Sequence, residues 1–236
     1  MTTFISSFST KTTRLFTLLA LLIGVGLLSS CGKEEIEEPN GAYIRFINTS
    51  PTLGTFNVFL DDAKISTGAL PFGGAIAYKL YLAGNHTVKY TTATSANAVL
   101  TKQIALTANQ NYSAYLIDKD TKLDLLLVVD EANETSTTKA FIKFINLSPD
   151  APALNLDVKA GANLVKDKTY KTGSSYAQID PKTYDFDIKD SATGAVKTSL
   201  TGVEMLAGRY YTIIARGLLT PGTNDQPFSA QSILNQ

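Results

Sequence analysis

The sequence predicts an all-β protein: two tandem Greek-key, immunoglobulin-like β-sandwiches behind an export segment. Three observations carry this. Apolar residues recur with period two, as in Leu154, Leu156, Val158 and in Tyr184, Phe186, Ile188, with polar residues between them. The string Ala42-Tyr-Ile-Arg-Phe-Ile-Asn-Thr-Ser-Pro51 returns 98 residues later as Ala140-Phe-Ile-Lys-Phe-Ile-Asn-Leu-Ser-Pro149, with seven of ten positions identical. No segment after residue 31 has a long helical period. A repeat this long means tandem domains rather than a solenoid of small units.

Residues 1–30 read as a signal peptide. Lys11 and Arg14 precede the uncharged run Leu15 to Leu28, whose 14 residues reach ~21 Å as a helix, short of a ~30 Å hydrocarbon core. Small residues follow, as at a cleavage site. A short membrane anchor is the alternative. The sequence then reads Leu28-Ser29-Ser30-Cys31, which resembles a bacterial lipobox with the sole cysteine as first mature residue. That resemblance implies a lipid on the Cys31 sulfur and acylation of the new amino terminus. Each buried CH₂ contributes roughly 0.8 kcal/mol, so two or three chains make a durable anchor.

Residues 31–41 read as an acidic tether, with Glu34, Glu35, Glu37 and Glu38 and no apolar period. Lys33, Glu34 and Glu35 so near the cysteine also resemble the signal that exports Bacteroidota lipoproteins to the outer face of the outer membrane. A plain linker is the alternative. The first sandwich is expected over 42–131, a polar linker over 132–139 and the second sandwich over 140–236. Turn signals such as Asp61-Asp62-Ala63-Lys64, Gly73-Gly74 and Ala207-Gly208 punctuate about seven short strands per copy. Half-buried strands of this kind are normally antiparallel.

Composition excludes several classes. The chain has 21 basic and 21 acidic residues, which argues against a nucleic-acid partner. One Cys excludes a disulfide scaffold or a thiolate zinc site. His86 is the only imidazole base, and no Gly-x-Ser-x-Gly elbow accompanies it. Asp61/Asp62 reads as a hairpin turn, Asp185/Asp187 as a solvated strand face, and Asp118, Asp120 and Asp124 as a weak Ca²⁺ candidate without the EF-hand glycine and glutamate. Tyr78, Tyr81 and Tyr210 are the expected exposed aromatics. No cofactor, metal or catalytic residue is expected.

The run Phe144-Ile-Asn-Leu-Ser-Pro-Asp-Ala-Pro152, the turn Asp180-Pro-Lys-Thr-Tyr184 and the strand Ala207-Gly-Arg-Tyr-Tyr-Thr212 together resemble DUF4397 domains. The resemblance spans about residues 42–236, and Thr52-Leu53-Gly54 departs from it where the second copy has Asp-Ala-Pro. It implies a β-sandwich and, from the tandem arrangement on such a signal, a Bacteroidota lipoprotein. It carries over no catalytic residue. Proline removes a ladder donor, so each strand must end at Ser50-Pro51 and Ser148-Pro149, where Asn146, Ser148 and Asp150 can bond the freed backbone. The same loops are the candidate binding groups: Ser50, Pro51, Ser148, Pro149 and Asp150. The expected role is a non-enzymatic binding module, lipid-anchored in the outer membrane and facing outward, with a surface glycan or protein as ligand. A structural spacer is the alternative, and a hydrolase a weaker one.

Overall fold

A computed structural model describes residues 40–131 and 135–235. The signal peptide, Cys31, Lys33, Glu34, Glu35 and linker residues 132–134 lie outside the described residues. Eight strands build the first sandwich: β1 (Gly41–Asn48), β2 (Phe56–Leu60), β3 (Ala63–Lys64), β4 (Ala75–Leu82), β5 (Gly84–Thr92), β6 (Ala98–Leu106), β7 (Asn111–Ile117) and β8 (Asp124–Val129). Eight more build the second: β9 (Ala140–Asn146), β10 (Leu154–Val158), β11 (Asn163–Lys168), β12 (Ala177–Ile179), β13 (Thr183–Asp190), β14 (Val196–Glu204), β15 (Tyr210–Arg216) and β16 (Ser229–Leu234).

Each sandwich has an outer and an inner sheet. The outer sheets run β3-β2-β5-β6 and β11-β10-β13-β14; the inner sheets run β4-β1-β7-β8 and β12-β9-β15-β16. The outer strands keep the period of two. Leu154 and Leu156 are fully buried while Asn155 and Asp157 are half-buried. Asp61 (φ 48°) and Asp62 (φ 64°) form the two-residue loop joining β2 to β3, the doubly positive φ that a tight hairpin demands.

The inner sheets depart from the antiparallel expectation. β1 pairs β7 in parallel, and β9 pairs β15 in parallel. These four strands are buried on both faces, so their sequences are apolar on both phases. On one phase Ile44, Phe46, Ala114 and Leu116 fill the first core, and Ile142, Phe144, Ile213 and Ala215 fill the second. On the other phase Ile47, Tyr115, Ile117, Ile145, Leu147 and Ile214 form a third core between the two inner sheets. The sandwiches are therefore stacked through their inner sheets, and Pro39–Gln236 forms one compact unit.

The stacking has approximate twofold symmetry. Arg45 and Lys143 occupy equivalent positions, as do Tyr78 and Tyr176, Ser113 and Thr212, and Asp130 and Asn235. Arg45 donates from Nε to Ser113 Oγ (2.7 Å) and crosses the seam to the Leu234 carbonyl (2.9 Å). Lys143 crosses the other way to Asp130 Oδ1 (2.7 Å). Arg45 lies over the Tyr78 ring and Lys143 over Tyr176, each at 4.8 Å. This exchange of contacts is the isologous pattern of a twofold dimer, here within one chain.

The strands also give the unit two ends. β1 and β9 both run from an entry end to a loop end, where Ser50-Pro51 and Ser148-Pro149 stop them. Contacts at the loop end join the two sandwiches: Thr52 bridges Asp225, and Gln226 N donates to the Pro51 carbonyl (3.2 Å). An eight-residue strand separates the ends by ~26 Å.

Candidate functional site

The Asn-x-Ser-Pro repeats turn inward. Asn48 Oδ1 accepts from Ser50 N, and Asn146 Oδ1 accepts from Ser148 N, both at 3.1 Å. Ser50 Oγ donates to the Asp118 carbonyl (2.6 Å) and Ser148 Oγ to the Gly217 carbonyl (2.7 Å). Ser50, Pro51 and Ser148 are buried, Pro149 is half-buried and Asp150 is exposed. The Asp150 carboxylate accepts from Leu219 N (2.9 Å), Thr220 N (2.9 Å) and Thr220 Oγ1 (3.0 Å). Partial burial works against its charge, yet these bonds outweigh it and hold the carboxyl below the usual aspartate range. All five groups therefore hold the loops or sit within them. The residues that reach open space come one step later, at Thr52, Leu53 and Gly54.

Those three line a cleft of about 1060 Å³ at the loop end. Phe56, Leu123 and the exposed Leu53 and Val99 give it an apolar side; Thr52, Thr121, Thr223 and Asn224 give it polar atoms. Of its three charged residues, Lys119 and Asp225 are matched at 2.5 Å across the two sandwiches, and the exposed Asp120 adds a further carboxylate. The lysine and the Gly222 amide hold the Asp225 carboxyl low. Both sandwiches thus contribute to one mouth.

A second cleft, about 520 Å³, opens along the seam between the β8 edge and Gly173–Tyr176, with Lys143 and Tyr210 in its wall. The symmetry-related seam holds Arg216, stacked over Phe72 at 4.2 Å. Gly73 makes room for it there, because a Cβ at Gly73 would lie 2.1 Å from an Arg216 guanidinium nitrogen. Behind the open seam, Asp130 (5% exposed) accepts from Tyr78 (2.6 Å), Ser113 (2.5 Å), Lys143 and Asn235 (2.9 Å). Burial pushes the Lys143 ammonium below its ordinary range, and Asp130 opposes that shift.

Several expected surface groups are elsewhere. Tyr210 is buried against Phe141 (4.3 Å, stacked), Tyr78 enters the polar seam and Tyr81 packs on the first core. Tyr43 is the exposed aromatic instead. Asp187, expected on a solvated face, is buried and accepts from Ser199 (2.6 Å). Asp118 and Asp124 face lysines: Lys171 at 3.1 Å and Lys102 at 2.5 Å. Among the described residues, no group of three or more His, Cys, Asp or Glu side chains is placed to hold a metal.

His86 uses both ring nitrogens. Nδ1 lies 2.5 Å from Asp61 Oδ2 and Nε2 lies 2.8 Å from the Leu82 carbonyl. Both partners accept, which favours the doubly protonated ring. Burial lowers the imidazole pKa, but Asp61 and the Leu82 carbonyl outweigh it and the net shift is upward. Asp61 is lowered, by the Thr87 amide first and by His86 second. The His86 contribution to stability is therefore complete below the unfolded value of 6.5 and disappears as pH rises through the higher folded value. Asp61 contributes above 3.8 and loses its share as pH falls. His86→Gln should cost more at about pH 5.5 than at about pH 8.5, by no more than about 1 kcal/mol for so exposed a pair. Urea midpoints at the two pH values check this, and an equal loss at both rejects the paired imidazolium.

These features define a class: a two-sandwich, all-β module with a loop-end mouth and a seam cleft, each lined by both halves. Residues 42–157 match the family described as Domain of unknown function (DUF4397), and through this segment the chain is a DUF4397 protein. The matched stretch takes in the first sandwich, β9 and most of β10. No curated protein matches the chain. Solved structures that it matches include the Bacillus anthracis TIE protein, at 11% identity and TM-score 0.24, covering 83% of this chain and 44% of that one. Another is CBMbc (family CBM26) of Eubacterium rectale Amy13K in complex with maltoheptaose, at 8% identity and TM-score 0.25, covering 83% of this chain and 97% of that one.

Proposed function

We propose that the chain is a lipid-anchored, non-catalytic binding module of the cell envelope, held through Cys31 and facing outward from the outer membrane. The observation that carries this reading is polarity. The chain enters the unit at Asn40, at the opposite end from the cleft that both sandwiches build. A tether on Cys31 would leave that cleft far from the bilayer. Its matched Lys119–Asp225 pair, its row of hydroxyl and amide groups beside apolar side chains and the further Asp120 carboxylate suit a polar ligand without acidic groups, such as a neutral surface glycan.

Two measurements test the reading. Mass spectrometry of the mature amino terminus is expected to find acyl chains on Cys31 and to lose them in Cys31→Ser. Binding to a glycan array is expected to fall at least about tenfold when Leu53→Asp and Thr223→Asp are combined, since carboxylates covered by a bound ligand lose their water at a cost above ~1.4 kcal/mol. An unmodified Cys31 rejects the anchor. An array with no bound glycan rejects the ligand class and leaves the spacer reading.

A further inference from the structure

We propose that the entry end of the first sandwich is a membrane-contact face, in which Tyr43, Leu80 and Leu82 rest on the lipid surface. This rests on the lipid-anchor reading above.

The large apolar side chains left exposed are not evenly spread. Among the described residues, Tyr43 (49%), Leu80 (44%), Leu82 (73%), Val129, Leu206 and Leu234 lie at or near the entry end, against Leu53, Val99 and Val196 elsewhere. Tyr43 and Leu80 are direct cross-strand partners, and Leu82 follows one step along the same face of β4. The fold does not need them. In the second sandwich the same register puts Gln178 opposite Phe141 and continues to Asp180, which pairs with Lys139 at 2.6 Å. Where one copy places two leucines in solvent, the other places an amide and a carboxylate. At this edge the first sandwich carries an apolar surplus that the equivalent edge of its twin lacks, and such a surplus asks for a partner outside the fold.

The occupant follows from the path of the chain. Leu82 is the register partner of Gly41, the residue after Asn40. Eight residues lie between Cys31 and Asn40, so the two are at most about 30 Å apart along an extended chain. A lipid on that sulfur would bring the bilayer to the same end as the leucines. Apolar and aromatic side chains of this kind suit the boundary between headgroups and acyl chains.

The chain contains no Trp, so Leu82→Trp creates a single reporter. Residues 31–236 carrying this substitution would be coupled through Cys31 to a maleimide lipid in phosphatidylethanolamine and phosphatidylglycerol vesicles with brominated acyl chains. This places the tether without relying on cellular acylation. Leu53→Trp, at the loop end, is the control. The Leu82→Trp emission should shift to the blue and fall by at least about half, as for a ring roughly 5–10 Å into the boundary, while the control stays unquenched. Leu80→Gln with Tyr43→Thr should relieve the quenching. An unquenched reporter on coupled protein overturns the contact face, even if acylation of Cys31 in cells is found. A blue shift without quenching that grows with protein density overturns it in favour of a second copy. Quenching together with an unmodified Cys31 in cells keeps the apolar face competent for lipid and rejects the anchor alone.

Discussion

Asp130→Ala is expected to lower the stability of the whole unit by about 3–5 kcal/mol, roughly a 10 °C fall in Tm for a unit of this size. The carboxylate takes four hydrogen bonds in the seam, from Tyr78, Ser113, Lys143 and Asn235. Without it, Lys143 (4% exposed) loses its hydrogen-bonded anion and stays buried beside Arg45 (5% exposed). The pair itself contributes little net stability, because removing two ions from water costs nearly what their attraction returns. The large loss comes from the charges left behind. Lys143→Met combined with Asp130→Leu should therefore recover much of it. Both sandwiches share this seam and its third core, so unfolding should be one transition followed by any probe. Calorimetry and denaturant melts read both quantities. A loss below about 1 kcal/mol, or separate transitions for the two sandwiches, would show that the seam does not couple them.

Gly217→Ala should be nearly as severe and should act on the loop-end cleft. Gly217 has φ +82°, and a Cβ there would stand 2.1 Å from the Pro227 carbonyl oxygen and 2.6 Å from its carbon. The left-handed backbone alone costs an L-residue about 1–2 kcal/mol. The clash is with backbone, which cannot rotate aside, so the total should reach about 3 kcal/mol. Relief requires the 218–228 segment to move. That breaks the Leu218 amide bond to Gln226 (3.0 Å) and the Phe228 amide bond to Leu218 (2.7 Å). The Gln226–Pro51 and Lys119–Asp225 links across the sandwiches depend on the same segment. Faster amide exchange at Leu218 and Phe228, with loss of any ligand bound in the cleft, is the expected result. Unchanged exchange would mean that the loop accommodates the methyl group.

Much of the architecture was legible because it rests on local rules. Period-two alternation marks β10 and β13 since each has one wet face. The Asp61-Asp62 hairpin follows from residues that tolerate positive φ. The ten-residue repeat announces two copies, and the prolines end β1 and β9 wherever the rest of the chain lies. Arg45 and Lys143 carried an unread signal: each is a cation at matching positions in a strand apolar on both phases. Such a strand is covered on both sides, and a cation inside it needs a buried anion.

What the sequence by itself determined was the class, the duplication and the strand ends, all set by contacts between near neighbours. Only the tertiary structure decided that β1 pairs β7 and β9 pairs β15 in parallel, and that the two inner sheets face each other. It also decided that Asp130 serves charges from both halves, and that Tyr43, Leu80 and Leu82 stay in solvent while their counterparts are covered or polar. Those outcomes depend on which surfaces meet across long stretches of chain, and local periodicity does not encode the partner of a buried face.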